Sequence, residues 1–209
     1  IVERLDIKQQ LFERVEQHRT PGTFITSNTS GIPIGMLAEG RSEDFRKHFC
    51  GTHFFNPPRY MKLLEIIPHD QCDPALIAAL SSWIEERLGK GIVNAKDTVN
   101  FIANRIGVFS TQSVLRHMEE FNLNVETIDA LTGPLIGRAK SATLRTMDVV
   151  GLDTFLAVAK NTVKGAPDDP YKDWFEGPAW MDELVTKGHL GQKTGHLGGS
   201  YKKTKNAKG

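Results

Sequence analysis

Between residues 23 and 96, short β-branched or apolar runs alternate with segments that carry helix caps, and after residue 98 no convincing strand recurs. That switch constrains the fold more than any single motif. "TFITSN" (23–28), "GTHFF" (51–55), "KLLEII" (62–67) and "GIVNAK" (91–96) read as strands. "SEDFRKHF" (42–49) opens on a serine cap with acids in its first turn and reads as a short helix. "DPALIAALSSWIEERLG" (73–89) is the best-marked helix: Asp73 caps it, Pro74 takes its first position and Gly89 closes it. Strands alternating with helices imply α/β layering. From residue 99 on, "VNFIANRIGVFSTQSVLRHMEEF", "MDVVGLDTFLAVAKNTV" and "PAWMDELVTKG" all carry helical spacing. The expected architecture is therefore α/β followed by all-α, with residues 1–98 as one domain and 99–209 as a helical second.

The start of the chain predicts a strand end at "IVE" and then a helix, with Asp6 as cap and Ile7, Leu11, Phe12 and Val15 on one face. A chain that opens inside a strand is expected to be a fragment of a longer protein. Residues 184–209 hold six lysines and no acid, and the ending "KKTKNAKG" reads as a solvated tail.

Bulk properties exclude several functions. The net charge of +1 gives no global electrostatic case for nucleic acid, and no run approaches the roughly 20 apolar residues that span a membrane. "IVERLDIKQQ" is charged within three residues and does not read as a signal peptide. Cys50 and Cys72 form neither a C-x-x-C nor a disulfide framework, so a reducing, cytoplasmic location is expected. "HFCGTH" brings His48, Cys50 and His53 close, but no second ligand group stands at finger-like spacing, and no metal is expected. No G-x-S-x-G and no G-x-G-x-x-G occurs, and "GHLGQKTG" (188–195) has Gln192 where a P-loop needs its second glycine.

What remains is "GTHFFNPPRYMKLLEIIP" (51–68), where His53 and Glu65 are set into two apolar runs. A histidine with a carboxylate partner is the usual proton-transfer unit, because the carboxylate fixes the tautomer and stabilises the imidazolium that forms. Asn56–Pro57 favours extended backbone and ends the strand there, which places His53 near a strand's C-terminal end, where α/β ligands gather. Spacing alone equally fits a hydrogen-bonded core histidine and a surface glutamate on an edge strand. Likewise, Ser30 in "NTSG" is turn chemistry, Asn104 fits a solvent-facing helix position, and Glu3 and Lys8 read as a strand end and a surface lysine.

Five blocks, "SNTSGIPI" (27–34), "GTHFFNPPRYMKLLEIIP", "KDTVNFIANRIG" (96–107), "GPLIGRAKSATLRTMDVVGLD" (133–153) and "GHLGQKTG", occur in the order and nearly the spacing of one family. The chain resembles the L-3-hydroxyacyl-CoA dehydrogenases, and within them the dehydrogenase region of multifunctional fatty-acid β-oxidation proteins. The resemblance implies the C-terminal part of a Rossmann-type NAD-binding domain followed by the family's helical domain. It implies NAD as cofactor, an acyl-CoA thioester as substrate and a homodimer formed through the helical domain. By resemblance, His53 is the catalytic base, Glu65 its orienting carboxylate, Ser30 a hydrogen-bond partner of the substrate and Asn104 a ligand of the reacting oxygens. Glu3, Lys8, Ser30, Asn56 and Lys193 match positions near the cofactor. The family's glycine-rich turn lies upstream of the segment that matches "VERLDIK", so the 209 residues are expected to hold the catalytic groups but only part of the cofactor site. Two departures stand out: Val99 replaces a proline after K-D-T, and "KTGHLGGSY" is two residues longer than the usual K-T-G-x-G-F-Y. The alternatives are a non-catalytic dimerisation fragment of such an enzyme and a related dehydrogenase of a small hydroxy acid.

Overall fold

In the computed structural model, four strands hydrogen-bond in the order β1 (Ile25–Ser27), β2 (Phe49–Phe54), β3 (Leu63–Pro68) and β4 (Gly91–Asn94). The structure describes residues 1–202, so the basic ending from residue 203 lies outside the described residues. The chain divides into two units, Ile1–Asn104 and Arg105–Gly209. The first holds all four strands, and among the described residues the second holds none. An α/β part followed by an all-helical part is thus what the chain forms.

In the first unit β1 runs parallel to β2, β2 antiparallel to β3, and β3 parallel to β4. The β2–β3 register pairs Phe49's neighbour Cys50 with Pro68, and His53 with Glu65. Successive side chains alternate between faces, so Phe49, Gly51, His53, Glu65 and Ile67 share one face while Cys50, Leu64 and Ile66 share the other. Both faces are covered. On the first, Phe12 of α1 (Leu5–His18), Ile34, Leu37 and Ala38 of α2 (Ile34–Ala38) and Phe45 of α3 (Glu43–Lys47) close around Phe49, Ile67 and Phe101. The Phe12 and Phe49 rings meet edge-on at 4.9 Å between centroids. On the second, Ile84 of α4 (Pro74–Leu88) and Cys72 pack against Cys50, Leu64 and Ile66. Gly51 is required where α2 crosses β2: a Cβ there would come within 2.7 Å of Ile34 Cδ1 and 3.1 Å of Ile67 Cβ.

The caps explain most boundaries. Asp73 Oδ1 accepts the Ala75 N–H at 2.8 Å, Pro74 starts α4, and Gly89 ends it in the left-handed region at φ +61°. Ser42 Oγ takes the Phe45 N–H and starts α3. The helix α2, which sequence spacing did not announce, has no local cap. Its first N–H groups, of Ile34 and Gly35, are taken by the Asp97 carboxylate at 2.5 and 2.7 Å.

Three expectations for residues 1–104 need correction. Residues 1–4 form no strand. Asp6 does not cap α1: it lies inside the first turn, paired with the N-cap residue Arg4, where an acid complements the helix dipole. The long helix expected from residue 99 is α5 (Ala103–Glu120), because Asn100 and Phe101 turn through the left-handed region first.

The second unit packs α6 (Val125–Thr132), α7 (Leu144–Val150), α8 (Leu152–Gly165) and α9 (Ala179–Thr186), with α5 from Arg105 on, around Leu115, Leu144, Leu152, Leu156 and Met181. The run "MDVVGLDTFLAVAKNTV" is two helices, broken at Gly151 with φ +101°. Asp129 supplies the cap that α7 lacks locally, accepting the N–H groups of Thr143, Leu144 and Arg145. Among the described residues, no helix is long and apolar enough to cross a membrane.

Candidate active site

Twelve residues apart in sequence, His53 and Glu65 are direct partners across the antiparallel β2–β3 ladder. Directly opposed side chains in such a ladder leave the same face with Cβ atoms about 4.5–5.5 Å apart. Here His53 Nδ1 lies 2.7 Å from Glu65 Oε2, with the two residues only 4 % and 1 % exposed. A carboxylate only accepts, so in the neutral ring the proton sits on Nδ1 and Nε2 carries the lone pair. Rings of Phe55 and Phe101 flank the imidazole at 4.5 and 5.7 Å between centroids.

Glu65 has a second duty. Its Oε1 accepts the N–H of Ala103 at 2.7 Å and of Ile102 at 3.1 Å, so it caps the N-terminus of α5. Burial pushes its carboxyl upward, but the hydrogen bonds from His53, Ala103 and Ile102 outweigh that push. The group is held below the ordinary carboxylate value of 4.5 and stays ionised.

The loop after β1, whose Asn28 reaches the end of β2 through the Phe54 N–H, carries a second polar cluster. Ser30 donates its N–H to Glu3 Oε1 at 2.9 Å, and its carbonyl accepts from Asn104 Nδ2 at 3.1 Å. Glu3 also receives the Thr29 hydroxyl and the Gly31 N–H, and its other oxygen lies 3.0 Å from Lys8 Nζ. Lys8 is a buried ammonium with 5 % exposure, compensated by that carboxylate. Desolvation raises the Glu3 carboxyl, yet the Thr29, Lys8 and Ser30 contacts together hold it below its ordinary value. Glu3, Lys8, Ser30 and Asn104 thus form one connected network, and His53 with Glu65 another, joined through the start of α5. Asn56 is exposed beyond the end of β2. Lys193 belongs to the second unit, where Nζ pairs with Asp153 and lies 3.4 Å from Thr154 Oγ1. Among the described residues, no group of three or more His, Cys, Asp or Glu is placed to hold a metal ion.

Sequence reasoning missed Asn28 and Thr29. Asn28 Oδ1 accepts the Phe54 N–H at 2.9 Å, and Thr29 is fully buried on Glu3. Both sit inside "SNTS", whose turn chemistry hides them; their partners, the Phe54 N–H and Glu3, are distant in sequence.

The buried imidazole–carboxylate pair and the polar loop that leaves the C-terminal end of β1 both lie on an α/β sheet, and ligands of such sheets gather outside the carboxyl ends of their strands. Residues 1–98 match the family described as 3-hydroxyacyl-CoA dehydrogenase, NAD binding domain, and residues 101–201 match 3-hydroxyacyl-CoA dehydrogenase, C-terminal domain. The chain belongs to the 3-hydroxyacyl-CoA dehydrogenase family. It is 50% identical over 203 residues to a Bacillus subtilis protein named "Probable 3-hydroxyacyl-CoA dehydrogenase", covering 97% of this chain and 25% of that protein. A Deinococcus radiodurans protein of the same name is 47% identical over 208 residues, covering 100% of this chain and 59% of that one. The chain therefore spans between a quarter and three fifths of these two relatives. Among solved structures, (S)-3-hydroxybutyryl-CoA dehydrogenase from Ralstonia eutropha superposes with a TM-score of 0.84 at 30% identity, over 98% of this chain and 69% of that one.

Proposed function

We propose that the protein carrying this chain oxidises L-3-hydroxyacyl-CoA to 3-oxoacyl-CoA with NAD, as a step of fatty-acid β-oxidation within a multifunctional protein. The observation that carries the reading is the buried 2.7 Å contact between His53 Nδ1 and Glu65 Oε2. It leaves Nε2 as the base that takes the proton from the substrate's 3-hydroxyl. Glu65 keeps the ring in that tautomer and stabilises the imidazolium formed. Ser30 and Asn104 hydrogen-bond the reacting oxygens of the substrate.

The residues present fit the nicotinamide end of NAD. The loop leaving β1 brings Ser30 beside the Glu3–Lys8 pair, a set of donors and acceptors suited to a ribose and a carboxamide, outside the carboxyl end of a strand where such ligands bind. Glu3, Lys8, Ser30 and Asn56 would hold it. NAD, when bound, supplies the acceptor for the hydride that leaves the substrate's C3 as the carbonyl forms.

We place the first domain at residues 1–98 and the helical domain at 99–209, and assign a homodimer contact to the latter. The location is cytoplasmic. Supporting it, Cys50 and Cys72 are free thiols and form no disulfide.

The test is steady-state turnover by the full-length protein with NAD and a 3-hydroxyacyl-CoA, beside the same 3-hydroxy acid without CoA. The thioester should turn over and the free acid should not, and His53→Ala should remove about 10²–10⁴-fold of kcat. Equal rates on the free acid would overturn the substrate class; a His53→Ala protein with unimpaired turnover would overturn the mechanism.

A further inference from the structure

We infer that Asn28 is a positioning residue that sets the aim of His53. The inference rests on the reading of His53 as general base. β1 is three residues long, and its register with β2 ends at Ser27 opposite Gly51. His53 and Phe54 run on beyond it, paired on one side only, with Glu65 and Leu64 of β3. In an antiparallel ladder successive residues turn their N–H groups alternately to one neighbour and to the other. The Phe54 N–H faces the side on which β1 has already ended.

Asn28, the first residue after β1, fills that place with its side chain. Its Oδ1 accepts the Phe54 N–H at 2.9 Å, standing in for the ladder carbonyl that a longer β1 would have supplied. That N–H belongs to the peptide joining His53 to Phe54. Holding its plane fixes ψ of His53, and with it the direction in which the side chain leaves the backbone. Glu65 fixes the other end of the same side chain at Nδ1. The imidazole is thereby pinned at both root and ring, and Nε2 is left with one direction. The same residue begins the loop whose next members, Thr29 and Ser30, are tied to Glu3 and Asn104. Asn28 therefore sets the spacing between the base and the serine that binds the substrate.

The experiment uses the full-length protein with Asn28→Ala, Asn28→Asp, His53→Ala and the double variant Asn28→Ala/His53→Ala. Turnover of a 3-hydroxyacyl-CoA with NAD and thermal unfolding are measured for each. A shift of a fraction of an ångström should lower kcat of Asn28→Ala about tenfold, given that about 1 Å of misplacement costs about 10²-fold, with both KM values within about twofold. Asn28→Asp keeps an acceptor for the Phe54 N–H and should recover kcat to within about threefold of wild type, which also decides the matter if the alanine variant fails to fold. In the His53→Ala background, Asn28→Ala should cost nothing further, since its effect passes through the missing imidazole. Wild-type kcat in Asn28→Ala, an aspartate variant as impaired as the alanine one, or a full additional loss in the double variant would each overturn the inference. Unimpaired His53→Ala would instead overturn the general-base reading on which it stands.

Discussion

Exchanging one oxygen of Glu65 for an NH2 group separates its two duties. In Glu65→Gln the remaining oxygen can keep the N–H groups of Ala103 and Ile102, now bonded to Oε1 at 2.7 and 3.1 Å. The new amide nitrogen then faces His53 Nδ1, where Oε2 now sits at 2.7 Å. Two donors cannot share that contact. Either the bond is lost or the ring moves its proton to Nε2, the atom that must accept the substrate's proton. Fixing the wrong tautomer costs about 10⁴-fold in kcat in serine proteases with an intact site, and general-base help as a whole is worth about 10²–10⁴-fold. We expect a loss of about 10²–10⁴-fold in kcat with cofactor KM unchanged. Stability should respond far less. Hydrogen bonds to a charged acceptor exceed neutral ones by about 1 kcal/mol each, and the relief of a buried charge offsets part of that, so roughly 1–2 kcal/mol is lost. The assay is NADH formation at saturating 3-hydroxyacyl-CoA and NAD, paired with urea unfolding of the same preparation. A glutamine variant within about threefold of wild-type kcat would refute the tautomer argument, whatever its stability.

Three further outcomes follow from packing and charge. Gly51→Ala must displace Ile34 or Ile67, since its Cβ would lie 2.7 Å from Ile34 Cδ1, and urea unfolding should show a loss of about 1–3 kcal/mol. Asp97→Ala leaves the Ile34 and Gly35 N–H groups at the start of α2 without their acceptor and should cost about 1–3 kcal/mol by the same measurement. The Glu65 carboxyl is depressed below 4.5 in the folded chain, so its ionised form contributes stability that is present above that value and lost as pH falls through the folded one. An acid titration of unfolding free energy should therefore decline below about pH 4.5, and less steeply in Glu65→Gln.

The order of elements was legible because its signals are local. Asp73, Pro74 and Gly89 mark α4 from within five residues of each end, and Ser42 marks α3 in the same way. The α2 helix was not legible, since its cap is Asp97, more than sixty residues downstream by the hydrogen bond itself. The start of α5 was placed too early for a similar reason. The left-handed turn at Asn100 and Phe101 breaks the apolar periodicity, and the acceptor for the helix's first N–H groups is Glu65 on a strand. The His53–Glu65 pair was suggested by residue type, but only the β2–β3 register makes it a contact. Roles for Ser30, Asn104, Glu3 and Lys8 came from the family's motifs, because each alone is ordinary turn, helix or surface chemistry. Asn28 escaped both routes: its partner is a backbone N–H on another strand, which no spacing rule announces.

The account stands on Glu65 holding the proton of His53 on Nδ1, and nitrogen-15 NMR of the labelled imidazoles reads that directly. The chain has seven histidines, and the His53 signals are assigned as those missing from a His53→Gln variant. With the ring neutral, the account predicts a protonated, pyrrole-like Nδ1 and a bare, pyridine-like Nε2 in the wild-type protein, and in Glu65→Gln the loss or reversal of that preference. A wild-type ring carrying its proton on Nε2 would contradict it.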